Sequence, residues 1–139
     1  MNEDLNRQVV ISLLKSGNQF YDEINLLVKK FGLTLPQFNV LRILRGRNNE
    51  PTNLTTINEH MIHKMSNTTR IIDKLISKGY VNRKICKNNR RKIELTITQQ
   101  GLTLLKKIDQ PLNDKEADLV KNISDEEKNI IIQTLSNFH

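Results

Sequence analysis

Ser66-Asn67-Thr68-Thr69-Arg70-Ile71-Ile72-Asp73-Lys74-Leu75-Ile76-Ser77-Lys78-Gly79 is the stretch on which the fold turns. Met65, Thr68, Ile72, Leu75 and Ile76 recur at steps of three and four residues, which puts them on one face of a helix. Ser66, Asn67, Arg70, Lys74 and Ser77 fall on the other face, and Gly79 ends the helix in the usual way for a glycine just past the last turn. The polar face holds hydroxyls, an amide and cations, with Asp73 as its one carboxylate. Such groups donate to phosphates and to base edges in a DNA major groove. An ordinary surface helix shows the same two-faced pattern, so the neighbouring chain has to separate the two readings.

Immediately upstream, Leu54-Thr55-Thr56-Ile57-Asn58-Glu59 starts a short helix capped by Thr55 or Thr56, with Ile57 and Met61 facing inward. A tight turn near Ile62 to Lys64 joins the two helices, which is the helix-turn-helix arrangement. Downstream, Tyr80 to Cys86 and Arg91 to Thr98 read as two strands turned by Asn88-Asn89. Ile93, Leu95 and Ile97 alternate with Lys92, Glu94 and Thr96, the pattern of a half-buried strand. Lys87, Arg90 and Arg91 then lie near the hairpin tip, placed to probe phosphate or a minor groove. Protection of a sheet edge by charge accounts for one or two such cations, less naturally for the run.

Further out, Leu5 to Lys30 is a long helix with an apolar stripe wider than one small core needs, broken by Phe31-Gly32-Leu33. Thr34-Leu35-Pro36-Gln37 is a capping box opening a helix to about Arg45, and Gly46 to Asn53 is a loop by composition. Thr98 caps a helix carrying Leu102, Leu105 and Ile108, which Pro111 bends or divides. Ser124 to Glu127 is a further capping box, opening a last helix with Ile130, Ile131, Ile132, Leu135 and Phe138. The surplus apolar surface at both ends of the chain suggests packing against a second subunit.

At 139 residues the chain is one domain-sized unit. Its net charge of +7 is unevenly placed. From His60 to Lys107 there are 12 Lys and Arg against Asp73 and Glu94 alone, a balance of +10, while the remainder carries 10 against 13, or −3. A concentrated basic region is the footprint of a nucleic-acid face. The single cysteine excludes an internal disulfide and suits a reducing cytosol. No apolar run approaches membrane-spanning length, and the acidic start Met-Asn-Glu-Asp-Leu is unlike a signal peptide, so a cytoplasmic location without membrane attachment is expected.

The order helix, helix, short helix, turn, helix, basic hairpin and two helices resembles the MarR family of winged helix-turn-helix transcription regulators. The likeness is sharpest from Leu54 to Gly101. Ser66 to Leu75, followed by Lys78-Gly79-Tyr80-Val81, looks like the family's recognition helix and its exit. Asn89-Arg90-Arg91, with Leu95, Thr98 and Gly101 after it, looks like a wing signature usually written Asp-Arg-Arg. Asn89 departs from that pattern and removes the carboxylate that normally braces the wing arginine. The resemblance implies a mainly α fold with a small β-hairpin wing, in a single domain over 1–139. Residues 34–98 would form the winged helix-turn-helix lobe, and 1–33 with 99–139 the dimerisation helices. It implies a homodimer on a near-palindromic operator in double-stranded DNA, acting as a repressor. It also implies a crevice for a small-molecule effector, whose identity no residue here reveals.

Ser66, Asn67, Thr69 and Arg70 are assigned to the major groove, Lys74 to phosphate, and Lys87, Arg90 and Arg91 to the wing contact. Thr68 is assigned to the core. His60, His63, Cys86 and His139 lack structural-zinc spacing, so no metal or other cofactor is expected. No catalytic constellation is present in the sequence, which argues against a hydrolase or nuclease. The competing reading is an architectural or RNA-binding winged helix with little sequence preference.

Overall fold

The computed structural model describes residues 2–48, 50–62 and 67–139, with the backbone alone at 86 and 89–92. The described residues form helices α1 (Glu3–Lys29), α2 (Leu35–Gly46), α3 (Leu54–His60) and α4 (Thr68–Ser77), strands β1 (Val81–Cys86) and β2 (Asn89–Ile97), and helices α5 (Gln99–Leu119) and α6 (Asp125–Leu135). A single 3-10 turn, Ser136–Phe138, follows α6.

Local chemistry sets most of the boundaries. Thr34 accepts from the Gln37 N–H at 3.3 Å while the Gln37 side chain accepts from the Thr34 N–H at 3.0 Å, so the capping box of α2 is complete. Ser124 and Glu127 close the same box on α6. Thr98 caps α5 by accepting from the Gly101 N–H at 3.0 Å. The cap of α3 differs from expectation: Asn53, rather than Thr55 or Thr56, accepts from the Thr56 N–H at 2.8 Å. Pro111 neither ends nor divides α5, which is helical from Gln99 through Leu119. Leu105, Ile108 and Leu112 bury one continuous stripe on both sides of the proline, and that burial outweighs the lost hydrogen bond.

The core gathers where α2, α4, the base of the hairpin and the first half of α5 meet. Phe38, Leu41, Leu44, Ile57, Leu75 and Leu105 are among its fully buried members, and Val28 brings in the end of α1. The sheet is an antiparallel pair with Val81 opposite Ile97 and Arg83 opposite Leu95, and its register shifts between Ile85 and Cys86. Lys87 and Asn88 make the turn, so Asn89 starts β2 instead of completing the turn. The segment read as loop contributes to the sheet after all: Thr52 and Leu95 exchange backbone hydrogen bonds of 3.1 and 2.7 Å. Ile93 departs from the expected buried alternation. It is 40 % exposed, as its partner Ile85 is 59 % exposed, because the hairpin runs out beyond the core.

The ends of the chain are built differently. The first half of α1 leaves Leu5, Val9, Val10, Leu13 and Leu14 exposed, and α6 buries none of its residues while exposing Ile130, Ile131 and Ile132.

Candidate nucleic-acid interface

Helix α4 is held rigidly by what lies beneath it. Thr68, 2 % exposed, donates its hydroxyl to the Asn58 side-chain oxygen and so joins α4 to α3, as its assignment to the core requires. Ile71, Ile72 and Leu75 are buried below; Ile71, three residues after Thr68 and four before Leu75, belongs to this face in addition to the residues expected there from sequence. At the other end Gly79 takes a φ of +84°, open to glycine at no steric cost, and the Tyr80 N–H donates to the Leu75 carbonyl at 3.0 Å. Lys78 reaches back to donate to the Gly32 carbonyl at 2.6 Å, tying the end of α4 to the turn between α1 and α2. A helix pinned at both ends presents its outer side chains from a fixed platform.

Those outer side chains are Asn67, Thr69, Arg70, Asp73, Lys74 and Ser77, all exposed. The helix begins at Thr68, two residues after the Ser66 start read from the sequence, and Asn67 occupies the cap without a side-chain capping hydrogen bond. Its amide is therefore not consumed by the helix end. Thr69 and Arg70 lie in the first turn, where the helix dipole favours an anion, and Lys74 lies one turn further on. Lys87 is exposed in the hairpin turn. Arg90 and Arg91 are in β2 by their backbone. Ser66, with His63, Lys64 and Met65, lies outside the described residues, as does part of the predicted turn.

Arg83 is the contributor that sequence reasoning missed. It lies on β1 between Val81 and Ile85, on the face of the hairpin that turns toward α4. Its guanidinium sits 3.3 Å from the Asp73 carboxylate. Below this pair a cleft of about 350 Å³ opens between α3, α4 and the hairpin, floored by Ile72, Ile93 and Leu95. A cation at an inward-facing position of a strand, and a helix with one carboxylate, were the available signals. A second, half-buried ion pair joins α2 to α5: Arg45 donates to Asp109 through two hydrogen bonds of 2.9 and 3.0 Å.

Among the described residues no group of three His, Cys, Asp or Glu is placed to share an ion. His60 is exposed, with its Nδ1 2.9 Å from the Thr56 carbonyl oxygen. Among the same residues no helix is long and apolar enough to cross a membrane.

Comparison with known proteins gives one consistent answer. The MarR family model matches residues 33–93, the segment containing α2, α3, α4 and most of the hairpin. The transcriptional regulator SarZ of Staphylococcus aureus is 27 % identical over 139 residues, covering 99 % of this chain and 90 % of that protein. The regulator PecS of Dickeya dadantii is 25 % identical over 130 residues, covering 90 % of this chain and 76 % of that one. Among solved structures, a mutant MarR from E. coli complexed with operator DNA superposes with a TM-score of 0.82 at 22 % identity, covering 99 % of this chain and 96 % of that one. A helix with a cationic outer face on a fixed platform, a hairpin beside it and these matches together support a winged helix-turn-helix transcription regulator of the MarR type.

Proposed function

We propose that two copies of this chain bind a near-palindromic operator in double-stranded DNA and repress transcription from it. The observation that carries the reading is the outer face of α4: Arg70 and Lys74 exposed with Asn67 and Thr69 on a helix anchored at both ends, with the hairpin alongside. In this reading α4 enters the major groove, where Arg70 meets a guanine edge or a phosphate and Asn67 an adenine. Lys74 meets phosphate, and Lys87, Arg90 and Arg91 place the wing. Ser66 is proposed for the same groove.

The homodimer is supported by the terminal helices. Apolar side chains on α1 and α6 are exposed in a single copy, and α6 has no core of its own to hold it. Isolated helices of its 11 residues are marginal in water, so a second copy is the natural support. We divide the chain accordingly into a DNA-binding lobe over 34–98 and dimerisation helices over 1–33 and 99–139. A two-fold dimer places its recognition helices about one turn of DNA apart.

An effector would find room where α1 joins the lobe. An open cleft of about 740 Å³ there is lined mainly by apolar side chains, including Leu13, Phe20, Ile24 and Leu35. A small apolar or aromatic molecule suits those walls. Such a regulator works on the chromosome in the cytoplasm, and neither a catalytic step nor a cofactor enters the proposal.

The test is selection of bound genomic fragments followed by sequencing and competition. Enrichment of two-fold symmetric sites, preferred at least a thousandfold over bulk duplex, is expected. Equal binding to all duplexes, or preference for RNA, would replace this reading by an architectural or RNA-binding role. With about six to ten phosphate contacts, affinity should fall roughly 10³-fold or more between 50 and 200 mM salt.

A further inference from the structure

The wing of this chain lacks the acidic residue usual at position 89, yet the hairpin is not left unbraced. Arg83 stands at a register position whose strand neighbours on the same face are Val81, which is buried, and Ile85. An apolar side chain would continue that face. Arg83 instead spans the mouth of the cleft and meets Asp73 at 3.3 Å, joining β1 to the middle of α4. On its other side the same level of the hairpin is held by the Thr52–Leu95 backbone bridge. The hairpin is thus held from both flanks where it leaves the core.

Charge gives the pair a second role. Asp73 is the only acidic residue within α4, on its exposed polar side beside Arg70 and Lys74. A bare carboxylate there would repel phosphates, and a bare guanidinium on the hairpin would attract any of them. We propose that the Arg83–Asp73 pair is a positioning and specificity device: it sets the wing against the recognition helix and cancels two charges that would otherwise act on DNA without regard to sequence. As an exposed pair, at 48 % and 54 % side-chain exposure, it adds little to folding stability, so its effect belongs to binding. The inference rests on the DNA-binding reading above.

The experiment is a double-mutant cycle on the full chain, using Arg83→Gln, Asp73→Asn and the combination, with a selected operator duplex and a scrambled duplex as probes. Arg83→Gln should weaken operator binding on the order of tenfold, because the carboxylate is uncovered. Asp73→Asn should strengthen scrambled-duplex binding and steepen the salt dependence by about 0.9 for each phosphate the freed Arg83 engages. The combination should recover at least threefold of the affinity lost in Arg83→Gln, and Arg83→Lys should hold most of it. Additive effects in the cycle, or an unchanged salt slope in Asp73→Asn, would overturn the proposal. Thermal melting of each variant separates misfolding from lost binding, and Asp73→Asn alone still decides the charge argument if Arg83→Gln fails to fold. A wild-type chain that binds no duplex would sink the functional reading itself, whereas a binding wild type with additive variants sinks only this inference.

Discussion

Gly101 offers a sharp test of how the lobe is joined to α5. It is buried in the first turn of α5, at the point where the end of β2 and the residue before β1 converge. A Cβ added there would lie 2.7 Å from the Ile97 side chain and 2.7 Å from the Tyr80 carbonyl oxygen. Neither neighbour can retreat easily. Ile97 is 7 % exposed within the core, and the Tyr80 carbonyl is already bonded to the Thr98 N–H at 3.0 Å. Overpacking of this kind costs about 1–3 kcal/mol. The backbone of Gly101 is ordinary helix, so alanine gains back up to about 1 kcal/mol of helix propensity. Gly101→Ala should therefore destabilise the fold by about 1–2 kcal/mol, which for a domain near this size lowers Tm by roughly 2–8 °C. The assay is thermal and urea denaturation at one fixed protein concentration, because a dimer's Tm depends on concentration. An unchanged or higher Tm would refute the packing argument, since propensity alone predicts stabilisation.

Three further outcomes follow from the same geometry. Asn53→Ala removes the hydrogen bond that starts α3 and should cost about 1 kcal/mol, read by urea denaturation, whereas Thr55→Ala should cost far less. Ile131→Glu on α6 should shift sedimentation toward monomer at micromolar concentration, and a wild-type chain that is itself monomeric there would contradict the role given to α1 and α6. The Ser124 N–H and hydroxyl hold the Glu127 carboxyl below its ordinary value. A group whose folded pKa is depressed supports the fold above its ordinary range and loses that support as pH falls through the lowered value. The capping box of α6 should therefore persist into mild acid and open below it. An NMR titration of the Glu127 carboxyl should show its midpoint rising in Ser124→Ala.

Much of this architecture was legible because it is written in local chemistry. Thr34 with Gln37, Thr98, and Ser124 with Glu127 cap their helices through neighbours three residues away, and spacing alone reveals them. The two faces of α4 and the placement of Thr68 follow from helical periodicity in the same way. What escaped depends on partners far along the chain. Thr52 pairs with Leu95 through the backbone, which leaves no side-chain pattern to detect. Asn53, Thr55 and Thr56 are all able caps by residue type, and α3 starts after Asn53, the residue next to the Thr52 bridge. Pro111 looks like a break until Leu105, Ile108 and Leu112 are seen to need one uninterrupted stripe. Arg83 reads as one more cation of a basic hairpin because its partner is on another element. Ile93 has the right alternation for burial, but alternation says which face a residue takes, not whether the core extends that far.

The measurement closest to the heart of the account is the affinity of Arg70→Ala for a selected operator, by fluorescence anisotropy against scrambled duplex. Arg70 is exposed and tied to no described neighbour by an ion pair, so its loss should leave the fold intact. The account predicts a loss of about 1–3 kcal/mol per contacted base, five- to more than a hundredfold, at unchanged Tm. Operator affinity equal to that of the wild type would contradict the placement of α4 in the groove.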